Sequence, residues 1–177
     1  SPTMAVNVTS ASGFSDGNLT VGYEGTGNLT INSGSLTVAG VTYLGGDAGV
    51  GTAVQNGGTF ETVFLDVGIG NSTGNSYTIN GGTLMVDGDL VVGNFDGSGG
   101  TFTQTGGSVA VNSVPFGTYI NNGTYDLQAG SFTAAGNVTV GDVAGGAFFT
   151  QEGGTSQVAN NLVVGNNTGV TGEYDLT

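Results

Sequence analysis

Residues 75–93, NSYTINGGTLMVDGDLVVG, are followed by residues 99–117, GGTFTQTGGSVAVNSVPFG, and the two stretches share one plan. Over 90–114, LVVG forms a short strand, NFDGSGG a turn, TFTQ a strand, TGG a turn, SVAV a strand and NSV a link onward. Short runs of β-branched and aromatic residues, divided by Gly, Asn and Asp, follow the rules for strands and tight turns. No helical periodicity competes with them.

The plan runs along the chain. An aliphatic–Gly or Phe–Gly step falls at Val21-Gly22, Leu44-Gly45, Val67-Gly68, Val92-Gly93, Phe116-Gly117, Val140-Gly141 and Val164-Gly165, at spacings of 23, 23, 25, 24, 24 and 24. The closing Gly of a GG-like turn falls at Gly34, Gly58, Gly82, Gly107, Gly130 and Gly154, at spacings of 24, 24, 25, 23 and 24. Two separate markers keeping one step identify a solenoid or array. Strands of about four residues cannot bury a face alone, so each is expected to pair in parallel with its equivalent one turn away. The predicted fold is all-β: one continuous right-handed, single-chain parallel β-helix over 1–177, with three short strands per turn. Residues 1–18 are expected to form an irregular partial first turn, and 19–177 about seven turns of about 24 residues. At about 4.8 Å per turn the rod would be roughly 35 Å long.

Alternation along each strand assigns the inward columns. One reads Val21, Leu44, Val67, Val92, Phe116, Val140, Val164; a second, on the middle strand, reads Leu29, Ala53, Tyr77, Phe102, Tyr125, Phe149, Tyr174. Two residues further on the column is Ile31, Gln55, Ile79, Gln104, Leu127, Gln151, Leu176. Glutamine thus alternates with an aliphatic residue, and the repeating unit is a pair of turns of about 48 residues. A buried amide both donates and accepts, so the glutamines are expected to bond backbone groups of the tight GG turns. Alternation also penalises a slip of one turn, which would set Gln against apolar positions.

Composition removes several functions. The 177-residue chain holds 37 Gly and 13 Asp plus Glu, with no Lys, Arg, His, Cys or Trp, for a net charge of −13. Nothing can neutralise phosphates, which argues against nucleic-acid binding, and anionic lipid is disfavoured likewise. There is no imidazole or thiol for catalysis or for a zinc site. No apolar run is long enough for a membrane-spanning helix, and SPTMAVNVTS lacks the basic start of a signal peptide.

Remaining candidates lie among oxygen ligands, carboxylates and aromatics. Asp47, Asp96 and Asp142 follow the repeated step in turns that also hold Asn71, Asn94 and Asn166. Turn chemistry accounts for them, while a stacked row of oxygens makes them candidate Ca²⁺ ligands, the one cofactor expectation. The GGxGxDxUx motif of calcium-binding β-rolls is absent. Asp66, Asp87 and Asp89 fall on neighbouring turns, as a glycosidase pair would require. Asp87-Gly88-Asp89 is, however, a turn sequence in itself, and Asp66 is assigned outward, so no catalytic residue is expected. Outward threonines such as Thr101 and Thr103 form rows broken by Val54, Asp126 and Phe148, which β-propensity explains. The outward aromatics Tyr23, Tyr43, Phe95, Tyr119 and Phe148 form no stripe in the sequence. Asn-X-Thr triplets such as that at Asn137 are expected by chance in this composition.

The alternation of NSYTINGG-like and GGTFTQTGG-like turns with LVVG strands resembles the autotransporter-associated β-strand repeats, found also in bacterial surface proteins with PEP-CTERM sorting signals. The resemblance covers 19–177. It implies a β-helical protein exported to the bacterial cell surface or beyond, and it implies no catalytic residue. The expected function is therefore structural: a protease-resistant extracellular rod or filament of a surface fibre, sheath or biofilm matrix, with no Lys or Arg for trypsin-like proteases. Its expected partner is itself, since the chain starts partway through a turn and stops in mid-strand at Tyr174-Asp175-Leu176-Thr177. An adhesin stalk binding surface glycans is the alternative, and a polysaccharide-degrading enzyme is a weaker one.

Overall fold

The computed structural model describes residues 3–8, 12–14, 17–94, 98–143 and 145–177. They form a parallel β-solenoid, with no helix among the described residues. The first face stacks β1 (Thr3–Val8), β4 (Thr26–Ile31), β6 (Val50–Gln55), β8 (Asn75–Ile79), β11 (Gly100–Gln104), β14 (Gly123–Leu127), β17 (Gly146–Gln151) and β20 (Thr171–Leu176). The second face stacks β2 (Ser12–Phe14), the first halves of β5 (Ser35–Gly46) and β7 (Thr59–Gly70), then β9 (Thr83–Val86), β12 (Ser108–Val111), β15 (Ser131–Ala134) and β18 (Thr155–Val158). The third stacks β3 (Leu19–Val21), the second halves of β5 and β7, then β10 (Leu90–Val92), β13 (Gly117–Ile120), β16 (Asn137–Val140) and β19 (Leu162–Val164). Three strands per turn follow directly, although β5 and β7 run unbroken around one corner and join two faces into one sheet. Within the stretch expected to be irregular, β1 and β2 pair in register with β4 and β5.

Register on the first face matches the predicted columns. Leu29, Ala53, Tyr77, Phe102, Tyr125, Phe149 and Tyr174 are successive partners, as are Ile31, Gln55, Ile79, Gln104, Leu127, Gln151 and Leu176. Rings one turn apart lie nearly parallel: Tyr77 on Phe102 at 5.0 Å, Phe102 on Tyr125 at 4.6 Å, Tyr125 on Phe149 at 4.8 Å and Phe149 on Tyr174 at 4.6 Å between centroids. The rung spacing suits offset aromatic stacking, so the rings add attraction beyond their burial. At the Ala53 end of the column, Phe60 from the second face continues the stack onto Tyr77 at 6.2 Å.

One column assignment is corrected. Phe116 is not inward: it is 58% exposed and precedes β13, and the residue in register with Val92 and Val140 is Ile120, which is fully buried. The true column is Val21, Leu44, Val67, Val92, Ile120, Val140, Val164. The link 112–116 is longer than its counterparts at 87–89 and 135–136, and the corner after β13 shrinks to Asn121 and Asn122. Length lost at one corner thus offsets length gained at another, and the average step survives. Backbone geometry marks the difference: Gly22, Gly45, Gly68, Gly93, Gly141 and Gly165 have φ between 70° and 103°, whereas Gly117 has no such φ. This shifted rung also carries three buried polar atoms with no hydrogen-bond partner, the Thr118 hydroxyl and both amide atoms of Asn121. Val164 keeps its place beside Val140 but is 44% exposed, because no further described rung covers it.

Candidate functional site

Two places concentrate polar chemistry. One is inside the solenoid and the other is on the third face.

Inside, each glutamine is held by a tyrosine from the following turn. The Tyr77 hydroxyl donates to Gln55 Oε1 at 2.6 Å, that of Tyr125 to Gln104 Oε1 at 2.7 Å, and that of Tyr174 to Gln151 Oε1 at 3.1 Å. The amide nitrogens of Gln55, Gln104 and Gln151 donate to the Gly58, Gly107 and Gly154 carbonyls of their own GG turns, each at 3.3 Å. Gln55 and Gln104 also reach the next turn, at Thr83 O (3.0 Å) and Ser131 O (2.9 Å). The GG carbonyls are not otherwise unpaired: Gly58 O and Gly107 O already accept from Thr83 N and Ser131 N at 2.9 and 3.0 Å. The glutamine therefore adds a second bond there, and its shorter bonds tie adjacent turns together. Burial raises the phenol pKa of Tyr77 and Tyr125 well above the ordinary value, keeping them as neutral donors. These couples do structural work and expose no reactive group.

On the third face the outward column reads Thr20, Tyr43, Asp66, Val91, Tyr119, Thr139, Val163. Asp89 ends the link before β10, and its carbonyl accepts from Leu65 N at 3.1 Å. Burial, reinforced by the nearby charge of Asp89, pushes the Asp66 carboxyl up to about 6. Burial and the carboxylates of Asp89 and Asp142 likewise raise the Tyr119 phenol. One oxygen of Asp89, Oδ1, is shut off from solvent without a hydrogen-bond partner. The structure thus brings Asp66 and Asp89 together, while Asp87 bonds sideways to the amide of Asn112 at 3.2 Å. Aromatics join them. Phe64 is 40% exposed, and its ring lies over Gly88, where an added Cβ would come within 2.6 Å of it. No stripe is legible in the sequence, yet Tyr43 and Tyr119 share the outward column with Asp66, Phe64 lies at the corner two residues before it, and the exposed Phe116 precedes β13.

Of the candidate calcium ligands, Asp47 and Asp142 lie among the described residues, and they do not meet. Asp47 and Asp142 occupy the same corner four rungs apart, and Asp142 Oδ1 accepts from Asn166 at 2.6 Å and Asn167 at 3.0 Å. Asp96 and Phe95 lie outside the described residues. Among the described residues no three carboxylates group as a metal site would require. Elsewhere the corners carry asparagine ladders, in which Asn80 donates to Asn56 and Asn56 to Asn32, both at 2.8 Å.

Comparison with known proteins finds no matching family model, and neither characterised proteins nor solved structures give a match.

Proposed function

We propose that this chain is a length of an extracellular structural rod, whose work is done by its stacked turns and not by a catalytic centre. The observation that carries this is the continuity of the interior: an aromatic column unbroken from Tyr77 to Tyr174 and hydrogen-bonded glutamines that tie each pair of turns to the next. Such an interior resists local opening, because each buried polar atom of a couple is satisfied only when both turns are in place. The resemblance to autotransporter-associated and PEP-CTERM-type repeats supports export to the bacterial surface. Catalysis by Asp66 and Asp89 finds little support, since links of two to five residues at that corner build no cleft walls and one Asp89 oxygen is shut from solvent.

Electron microscopy combined with chymotrypsin or proteinase K digestion tests this reading, since trypsin has no site in the chain. Thin rods or filaments with an axial repeat near 4.8 Å that survive digestion would support it. Compact particles cut within minutes would refute it. Loss of the rods in a chelator would assign a divalent cation to the acidic corners.

A further inference from the structure

The outward surface of the third face is suited to a partner. Tyr43, Asp66, Val91 and Tyr119 stand on four consecutive rungs of one column, about 4.8 Å apart, with the carboxylate between the two phenol rings. Phe64 lies along the corner beside Asp66, seated on the bare backbone of Gly88, with its outer side in solvent. Asp89 follows Gly88, and Phe116, 58% exposed, comes on the next rung. Four aromatic side chains therefore flank two carboxylates on a rigid sheet.

These carboxylates have no internal counter-charge. The chain contains no Lys, Arg or His. A positively charged complement to this surface can therefore come only from outside the chain. A metal ion would engage the carboxylates and leave the rings unused. A neutral sugar would stack on the rings and leave two neighbouring negative charges unrelieved. A guanidinium does both, because its planar fork donates to carboxylates and its face stacks on aromatic rings.

We propose that the third face, around Tyr43, Phe64, Asp66, Asp89, Phe116 and Tyr119, is a docking surface for an arginine-rich segment of a partner protein. This does not depend on the rod being a filament, and it stands or falls separately.

Calorimetric titration of the chain with hexa-arginine, hexa-lysine and a neutral β-linked hexasaccharide at physiological salt provides the test. Three variants accompany it: Asp66→Asn/Asp89→Asn, Phe64→Leu, and the control Glu24→Gln/Glu152→Gln, which removes two exposed charges elsewhere. Hexa-arginine is expected to bind more tightly than hexa-lysine. The double Asn variant should weaken hexa-arginine by about tenfold or more, as expected for losing charged hydrogen bonds, and the control by less than about twofold. Phe64→Leu should erase the preference for arginine over lysine. Circular dichroism checks that each variant is folded. Equal weakening by the control would reduce the effect to diffuse charge and overturn the proposal. Binding of the hexasaccharide in place of the peptide, or of neither, would overturn it as well.

Discussion

The interior couples and the third face both set polar groups where water is scarce, but with opposite outcomes. Gln104 accepts from Tyr125 and donates to two carbonyls, so both ends of its amide have partners within the fold. Asp66 and Asp89 face each other's charge, with one oxygen unmatched and no cation in the chain to meet it. A satisfied buried polar group stabilises the fold and makes its register specific, whereas an unsatisfied one costs stability.

Breaking the interior should have the largest effect. Replacing Gln104 with Leu strands the Tyr125 hydroxyl and removes the amide bonds to Gly107 and Ser131, and should lower stability by about 3 kcal/mol, read from urea unfolding. The third face should respond with the opposite sign. Asp66 has a folded pKa near 6 against an ordinary value of 3.8. Its contribution is therefore most favourable below pH 4 and is lost as pH rises through about 6. Asp66→Asn should raise stability at pH 7 by up to about 2 kcal/mol and flatten the decline between pH 4 and 7. Unchanged pH dependence would mean that the carboxyl is better solvated than its surroundings indicate. The smallest effect is expected at Phe116. Phe116→Ser should change stability by less than about 0.5 kcal/mol, where a core phenylalanine would cost several times that.

That last contrast shows where the sequence was legible and where it was not. The 24-residue step, the first-face columns and the Gln alternation could be read because strand alternation and parallel stacking both act at fixed intervals. Phe116 misled because a Phe–Gly pair reproduced the spacing of the marker, while the links on either side of β13 had exchanged length. Hydrophobicity alone cannot distinguish Phe116 from Ile120. The tyrosine partner of each glutamine did leave a signal. Tyrosine occupies the aromatic column one turn after Gln55, Gln104 and Gln151, whereas Leu29 follows Val8, where no Gln needs a donor. Leu29 in place of an aromatic residue is therefore consistent with the pairing. The meeting of Asp66 with Asp89 and the rings around them was not legible, because it depends on corner geometry and on which way Phe64 lies across Gly88.

The central claim is that glutamine and tyrosine couple adjacent turns into one cooperative unit, and a double-mutant cycle of Gln104→Leu and Tyr125→Phe tests it most directly. Tyr125→Phe should cost about 1 to 2 kcal/mol in the otherwise native chain, where it leaves Gln104 Oε1 without its donor, and should recover stability once Gln104 is Leu, because it then removes the stranded hydroxyl. A coupling energy of at least about 1 kcal/mol is the predicted result. Additivity within about 0.3 kcal/mol would contradict the account and reduce the alternation to packing alone.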